Sequence, residues 1–475
     1  MKLTLRNLGR LREATIDLDK DLILLTGPNN TSKTYVAHAI YGFQANMPRY
    51  AALAMDHAFE GYFSRSSNVA EPSIKINVLE FMDERLPSFV NALQSNFRGE
   101  LADILASSEE FVTATQVVFD VDAAEIEQAR QQLLERDVKK VRPELDFIES
   151  KPAGDPEWSF DVISSPISGS APATSLPPHA QRSVLRHAWI RFASAIMVWV
   201  LRVRGSPHVL TAERAAIQLF SRELSLKRTE LVDDLLRIDS FSRQAADAGE
   251  MLERTLGQRA RRYPLAIRNS LRIANDVSNY RKTESPMAHL AQRMESDLLR
   301  GVIQIDDEGE VTFQPEGSGV HLGLPLSSSS VKSLAGLSFY LRHLAQEHQL
   351  LIIDEPELNL HPDNQRKVAR VIARIVRSGI KVLVSTHSDY FIRELNNLIM
   401  LSADKDGSVR QRYGYDAQET LSPSQVGAYL FNAERANPIE VKPTGIEVET
   451  IDREINSLNT VSQGIYFSLF GDQTA

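Results

Sequence analysis

The chain of 475 residues contains no cysteine. This absence excludes disulfide bonds, thiolate metal sites and cysteine nucleophiles together, and it fits a reducing compartment, so we expect the cytoplasm. Long apolar runs are also missing, since the most apolar segment, Phe192 to Leu201, has about ten residues where a membrane-spanning helix needs roughly twenty. We expect a buried helix there and no membrane partner. No apolar signal core follows the strand-like alternation of Met1 to Arg6.

A strong excess of charge is lacking as well. The net charge is −9, and 24% of the residues are charged while 43% are hydrophobic. This balance excludes a disordered chain and provides for two or three core-forming units. It argues against general coating of nucleic acid, although it leaves room for a local basic patch.

A strand that ends in two acids stands out among the features that are present. Leu350 to Ile353 are uniformly aliphatic, as in a strand covered on both faces, and Asp354 and Glu355 follow directly. Parallel sheets bind ligands at the carboxyl edge of their strands. We therefore assign Mg²⁺ binding to Asp354, and the orientation or deprotonation of an attacking water to Glu355. The alternative is a strand end with two solvated acids.

A second apolar strand, Leu22 to Thr26, runs into a loop of the phosphate-binding type. Loop N–H groups and the N-terminus of the predicted helix, Tyr35 to Phe43, would hold phosphate oxygens of ATP. Lys33 would reach the β- and γ-phosphates, and the Thr34 hydroxyl would ligate Mg²⁺. The residues predicted to contact the nucleotide here are Gly27, Asn29, Asn30, Thr31, Ser32, Lys33, Thr34 and Tyr35.

The loop departs from its usual pattern at one position, because Ser32 stands where glycine normally precedes the lysine. Glycine accepts any φ and allows close backbone approach, so serine predicts a lowered affinity or rate with binding retained. By itself the loop could also be an ordinary turn. The acidic strand later in the chain favours nucleotide binding.

A histidine follows the next predicted strand, Lys381 to Ser385. The helical segment Asn364 to Val376 separates this strand from the acidic one in βαβ spacing, so both should end at the same edge. There the imidazole of His387 would touch the γ-phosphate. A structural role is the alternative for a single histidine.

A serine-rich segment, Leu326 to Phe339, places four consecutive serines before a predicted helix. Hydroxyl groups at a helix N-terminus form a good anion site, and Ser328 and Ser330 are the candidates. A flexible loop with an ordinary cap explains the segment equally well.

Strand signals cluster at the two ends of the chain, with mostly helical signals between them. We predict an α/β fold in which residues 1–50 and 300–475 form one mixed sheet with the phosphate loop, and residues 51–299 form a mostly helical insertion. A strand near 207–214 is predicted to return to the sheet. Within the insertion we expect a helix capped by Asp122 that stops near Pro143, and a Ser/Pro-rich loop at 164–178.

The order of these motifs resembles the ABC-class ATPase heads of the RecF/SMC group. Within that group the chain is most similar to the ATPase part of OLD-family (overcoming lysogenisation defect) proteins and related anti-phage defence ATPases. The shared elements are the Gly-Pro-Asn-Asn loop start, Leu-Thr-Ala-Glu-Arg at 210–214, Ile-Ile-Asp-Glu-Pro-Glu, Leu-His-Pro and Ser-Thr-His-Ser. They lie within residues 1–50 and 320–400, apart from the stretch at 210–214.

The resemblance implies an ABC-type head that binds ATP and Mg²⁺ and forms at least a homodimer, with two nucleotides sandwiched between two heads. The signature serine of one head, here Ser328, would touch the γ-phosphate bound by the other. Asn359 and His361 match the loop that crosses this interface, and Lys33, Glu355 and His387 would be catalytic. Ser330 stands where the family has glycine, so both Gly-to-Ser departures bear on hydrolysis rate more than on binding.

OLD proteins typically carry a nuclease domain of the Toprim type after the ATPase, and we predict none here. The segment Asp404 to Gly407 could suggest a metal site, but we interpret it as a hairpin turn between two strands. The resemblance then implies a separate effector protein, with DNA or a phage protein as the trigger.

A basic cluster with two tyrosines runs from Arg254 to Lys282. A solvated helical face is the preferred interpretation, and nucleic-acid or protein binding is the alternative. Three functions stay open from sequence: a defence ATPase with a separate effector, a degenerate nucleotide-binding scaffold without turnover, and a RecF-like repair ATPase.

Overall fold

The computed structural model describes residues 1–58, 73–142, 147–162, 178–220, 262–306 and 309–470. Its strands, in chain order, are β1 (Lys2–Leu8), β2 (Leu11–Asp17), β3 (Leu22–Thr26), β4 (Ser73–Asn77), β5 (Gln116–Asp120), β6 (Val138–Arg142), β7 (Phe147–Lys151), β8 (Glu157–Val162), β9 (His208–Leu210), β10 (Gly301–Ile305), β11 (Val311–Pro315), β12 (Leu322–Gly323), β13 (Leu350–Asp354), β14 (Lys381–Thr386), β15 (Val426–Phe431), β16 (Arg435–Ile439), β17 (Val441–Lys442) and β18 (Gly445–Ile446).

The α-helices are α1 (Lys33–Ala58), α2 (Val78–Glu80), α3 (Leu86–Leu105), α4 (Glu109–Val112), α5 (Ala123–Glu135), α6 (Pro178–Trp199), α7 (Leu265–Asn275), α8 (Val277–Tyr280), α9 (Ala288–Met294), α10 (Ser329–Phe339), α11 (Pro362–Arg377), α12 (Asp389–Met400), α13 (Ser408–Tyr413) and α14 (Glu449–Phe470). In the described part of the chain, no helix combines the length and apolar character needed to cross a membrane.

A nine-stranded mixed sheet forms the centre of the structure, in the order β5-β1-β2-β16-β15-β3-β14-β13-β9. The five strands from β15 to β9 run parallel, while β5, β1 and β2 pair antiparallel. Strands from both ends of the chain therefore share one sheet, which confirms the predicted α/β class. The predicted strand near 207–214 is β9 at the edge of this sheet.

Both faces of the central strands are covered. In β3, Ile23 and Leu25 point into a core shared with α1, α3 and α6, whereas Leu22 and Leu24 point into a core shared with α11 and α12. This double burial explains why β3 and β13 are uniformly aliphatic. Helix α1 runs far beyond the predicted end at Phe43, because Met47, Tyr50 and Met55 remain buried, so residue 50 falls inside α1.

Helices predominate in the described part of the predicted insertion, but they are not its whole content. The described part of 51–299 also contains a four-stranded antiparallel sheet, β4-β8-β7-β6, and β5 joins the edge of the main sheet. Helix α5 has the predicted cap, in which Asp122 and Glu125 form a capping box. It ends at Glu135 and not near Pro143, because Val138–Arg142 pairs with Phe147–Lys151 as β6.

Two further expectations are wrong, one is confirmed, and one falls on residues that the structure does not describe. Residues 404–407 do not form a hairpin, since α12 ends at Met400 and α13 begins at Ser408. The hairpin of β10 and β11 does not continue the main sheet but forms a separate sheet with β12. The segment Phe192 to Leu201 is buried around the end of α6, as predicted. The Ser/Pro-rich loop lies almost entirely in 163–177, outside the described residues.

Candidate nucleotide-binding site

Strand register brings the predicted motifs to one edge of the sheet. In the parallel pairs, Thr26 of β3 lies opposite Thr386 of β14, and Ser385 of β14 lies opposite Asp354 of β13. The phosphate loop, the acidic pair and the histidine loop therefore begin side by side. They surround a cavity of about 740 Å³, within the size range of small-molecule sites. Its lining comprises Arg10, Asn29, Asn30, Thr31, Ser32, Lys33, Thr34, Tyr35, Phe111, Asp354, Glu355, Ser385 and His387.

Lys33 lies buried beneath the phosphate loop. Its Nζ donates to the carbonyl oxygens of Gly27 at 2.9 Å and Pro28 at 2.7 Å. Burial lowers the pKa of Lys33 to about 8. The negative charges of Asp354, Glu355 and Glu357 favour the ammonium and partly oppose this shift. The ammonium is thus held at the loop by carbonyl dipoles and lies near three acids.

Thr34 and Asp354 meet across the cavity. The Thr34 hydroxyl donates to Asp354 Oδ2 at 3.1 Å, and the Ser385 hydroxyl donates to Asp354 Oδ1. A hydroxyl and a carboxylate oxygen are hard ligands of the type that Mg²⁺ prefers. The first N–H groups of α1 have no intrahelical partner and face phosphate oxygens in such loops. The residues present therefore fit Mg²⁺ and a nucleoside triphosphate.

The second acid and the histidine are paired. His387 Nε2 lies 3.4 Å from Glu355 Oε1. The hydrogen bond from His387 lowers the pKa of Glu355, and the positive charges of Lys33 and Arg214 act in the same direction. Glu357 supports the histidine loop, since its Oε1 accepts from Thr386 Oγ1 at 2.7 Å and from the His387 N–H at 2.8 Å. The geometry keeps Glu355 ionised beside the histidine.

The backbone of the loop explains its sequence. Gly27 has φ 132°, and a Cβ there would lie 2.2 Å from the Phe431 carbonyl oxygen, so only glycine fits. Ser32 has φ 71°, in the left-handed region, which accounts for the usual preference for glycine at this position. Ser330 lies in the first turn of α10, where the backbone is helical. The two departures from glycine are therefore physically different.

Five predicted residues do not line the cavity: Gly27 at the base of the phosphate loop, and four residues at or just before the starts of α10 and α11. Ser328 is exposed and caps α10, where its hydroxyl accepts from the Val331 N–H at 3.3 Å. Asn359 and His361 are also exposed, and His361 caps α11. Ser330 is partly exposed, two residues after the cap. Within this chain the serine segment is an ordinary helix cap, so any contact with nucleotide requires a second chain.

Sequence reasoning missed several residues at or near the site. Arg10 comes from the β1–β2 turn and Phe111 from α4, where its ring meets that of Tyr35 at 5.4 Å between centroids. Neither carries a local motif, so no signal marked them. Arg214 and Glu357 belong to the segments Leu-Thr-Ala-Glu-Arg and Asp-Glu-Pro-Glu, but no signal in the sequence marked their own roles.

In the basic cluster, Arg254, Arg259 and Arg261 lie outside the described residues, and Arg268 pairs with Asp103 at 2.8 Å.

Comparisons with known proteins agree with this assignment over part of the chain. Residues 256–392 match the family model of an AAA ATPase domain, and this segment contains β13, α11, β14 and His387. The cell division ATP-binding protein FtsE of Streptococcus pneumoniae, in serotype 2 strain D39 and in strain R6, is 31% identical over 80 residues. These residues are 16% of this chain and 34% of FtsE, so the chain spans about a third of those relatives. The chain thus contains a segment similar to an ATPase domain.

Two solved structures are similar at low sequence identity. One is the Smc head domain with an extended coiled coil bound to the C-terminal domain of ScpA from Pyrococcus furiosus, with 11% identity, TM-score 0.32, and coverage of 97% of this chain and 98% of that chain. The other is the Smc head bound to the C-winged helix domain of ScpA, with 11% identity, TM-score 0.33, and coverage of 92% and 96%.

Replacement by glycine should change the free energy of unfolding in opposite directions at Ser32 and at Ser330. Ser32→Gly relieves a left-handed serine and should raise the free energy of unfolding by roughly 0.5–1 kcal/mol. Ser330→Gly introduces glycine into an ordinary helical turn and should lower it by up to about 1 kcal/mol. Chemical denaturation of the two variants checks this. Equal effects of the same sign would contradict the backbone explanation.

The buried ammonium predicts a pH dependence of nucleotide affinity. With the pKa of Lys33 at about 8, the free site loses its charge as the pH rises, whereas bound phosphates favour the ammonium. ATP affinity should therefore fall above about pH 8, and binding at that pH should take up about half a proton. Calorimetry in buffers of different ionisation enthalpy measures the uptake.

The matched control for this measurement is Lys33→Arg, whose guanidinium stays charged over the whole range. If this variant binds ATP, its affinity should show no such fall. A wild-type affinity that is flat from about pH 7 to pH 9.5 would contradict the assignment of Lys33.

Proposed function

We propose that the chain is an ABC-class ATPase that binds ATP with Mg²⁺ and hydrolyses it to ADP and phosphate. One observation carries the proposal: Lys33, Thr34, Asp354, Glu355 and His387, from three separate segments, line a single cavity. Any one of these residues has an ordinary structural explanation. Their convergence at the carboxyl edge of parallel strands is the arrangement that phosphoryl transfer needs.

Each side chain has a distinct role in this proposal. Bound Mg²⁺ supplies charge neutralisation, and Thr34 and Asp354 are its protein ligands, with Asp354 oriented by Ser385. Lys33 holds the β- and γ-phosphates. Glu355 stays ionised because of His387 and accepts a hydrogen bond from the attacking water, which orients that water. His387 lies where it can contact the γ-phosphate.

We further propose a homodimer with ATP at the interface between the two heads. Ser328, Asn359 and His361 are exposed and outside the cavity of their own chain, which supports a role toward a second copy. Leu326, two residues before Ser328, is 81% exposed, and such an apolar side chain gains from burial in an interface. In this dimer Ser328 completes the site of the partner.

The cellular role is the finer part of the proposal. The resemblance in motif order to OLD-family ATPases favours a cytoplasmic regulator in anti-phage defence, in which the ATPase acts on a separate effector and responds to DNA or a phage protein. A RecF-like repair role and a scaffold without turnover are the other candidates. The left-handed backbone of Ser32 favours slow ATP turnover over fast turnover, and it does not exclude turnover.

Phosphate release separates an enzyme from a scaffold. Wild-type protein should release phosphate in steady state, and Lys33→Ala should abolish release through loss of nucleotide binding. Glu355→Gln should bind ATP normally while release falls by about 10²–10⁴-fold, because the water loses its charged acceptor. Glu434→Gln is the matched control, since Glu434 is exposed and pairs with Arg12. Tight binding with no release by wild type would instead support the scaffold.

A mixture of two inactive variants tests the shared site. Ser328→Arg blocks the signature position that acts on the partner, and Glu355→Gln inactivates the chain's own site. In a mixed dimer, one of the two sites combines an intact Glu355 with an intact Ser328. An equal mixture should therefore recover roughly a quarter of wild-type phosphate release. A mixture as inactive as its two components would contradict the sandwich dimer and leave single-chain hydrolysis as the alternative.

A further inference from the structure

Arg214 occupies a position that no role has yet explained. Its side chain is buried, with 5% of the residue exposed, and its guanidinium donates five hydrogen bonds. Two go to the acidic turn, at 2.8 Å to the Asp354 carbonyl and 2.8 Å to the Glu355 carbonyl. Two go to Ser333 in α10, at 3.0 Å to its carbonyl and 3.0 Å to its hydroxyl. The fifth goes to the Thr211 carbonyl at 3.3 Å.

The bond to Glu355 matters because the backbone there is strained. Glu355 has φ 51°, a left-handed conformation that costs roughly 1–2 kcal/mol for a residue with a side chain. Its N–H donates to the Ser385 carbonyl at 3.0 Å, and its carbonyl accepts from Arg214. The N–H and the carbonyl of Glu355 are therefore both hydrogen-bonded. This fixes the direction in which the Glu355 carboxylate leaves the chain.

The bonds to Ser333 reach the helix that carries the signature serine. Ser333 lies in α10, about one and a half turns after the Ser328 cap. The Ser333 hydroxyl also donates to the Leu358 carbonyl at 2.8 Å, next to Asn359. One guanidinium thus ties the strand end that holds Glu355 to the helix and loop that present Ser328 and Asn359.

The chemistry of this junction requires arginine. Among the described residues, no carboxylate forms an ion pair with Arg214, so its planar fork is satisfied by carbonyl oxygens and a hydroxyl. Lysine has three donors on one atom and cannot span two elements in this way. Burial lowers the pKa of Arg214, and the negative charges of Glu357, Asp354 and Glu355 oppose this shift. A buried cation without a paired acid suggests a positioning function beyond simple packing.

We propose that Arg214 is a positioning residue that couples the two nucleotide sites of the dimer. It holds Glu355 for the chain's own nucleotide and, through Ser333, sets the position of Ser328 against the partner's nucleotide. This inference rests on the proposed sandwich dimer. Its distinctive consequence is that loss of Arg214 in one chain impairs hydrolysis at the site whose Glu355 belongs to the other chain.

The mixture of Ser328→Arg and Glu355→Gln chains measures this directly. Arg214→Lys is added to the Glu355→Gln chain, which contributes only Ser328 to the one complete site. We expect phosphate release by the mixture to fall at least about 10-fold, with the ATP concentration for half-maximal release little changed, because the loss lies in positioning and not in binding. Arg214→Lys on the Ser328→Arg chain should also lower release, through Glu355.

A milder variant guards against loss of folding. Ser333→Ala on the Glu355→Gln chain removes the hydroxyl that joins Arg214 to Leu358 and leaves the bonds to the acidic turn intact. It should lower release by the mixture severalfold, while the same change on the Ser328→Arg chain should have a smaller effect. Thermal unfolding and ATP binding of each variant establish that the chains are folded.

Arg374→Lys is the matched control, because Arg374 is also buried but pairs with Asp297 and Glu419 away from the cavity. It should cost stability without lowering release by the mixture. Suppose that the parent mixture is active. If Arg214→Lys and Ser333→Ala on the Glu355→Gln chain both leave its activity unchanged, the proposed coupling is wrong and the dimer is still supported. If the parent mixture is inactive, it is the dimer that fails.

Discussion

The site depends on the register of three parallel strands. β3, β14 and β13 pair so that Thr26 lies opposite Thr386 and Ser385 lies opposite Asp354, and the hydroxyl of Ser385 contacts the carboxylate of Asp354. Because side chains alternate along a strand, a slip of one residue would turn Asp354 toward the opposite face and separate it from Thr34. The aliphatic residues of these strands, buried on both faces, are what prevents that slip.

Two left-handed residues line the candidate cavity, Ser32 before Lys33 and Glu355 after Asp354. Each costs of the order of 1 kcal/mol, and each persists because neighbouring elements determine it. Phe431 closes against Gly27 at the base of the loop, while Ser385 and Arg214 hold Glu355. Contacts within the chain therefore determine the backbone on both sides of the cavity, and preorganisation of this kind is a general property of catalytic sites.

The parts that sequence predicts well are those encoded locally. An aliphatic run, a glycine-opened loop and a pair of acids each carry their own signal, so β3, β13 and most of the cavity lining could be predicted. The sheet β4-β8-β7-β6 could not, because β4 pairs with β8, which lies nearly ninety residues away at Ser73↔Asp161. Asp404 to Gly407 misled for a similar reason, since the flanking apolar residues belong to helix α12 and not to a strand. Arg214 was unpredictable because most of its partners are backbone carbonyls, which leave no mark in sequence.

The same Gly-to-Ser departure has different meanings at its two positions. At Ser32 the backbone is left-handed, so serine carries a conformational cost within the phosphate loop itself. At Ser330 the helical backbone accepts serine without strain, and the side chain lies on the exposed face that would meet a partner. In the proposed dimer, Ser32 would therefore affect hydrolysis through the strained loop, and Ser330 through the way two chains meet at α10. The proposed junction at Arg214 joins α10 to Glu355, so the rate of hydrolysis would depend on the interface and on the position of Glu355 together.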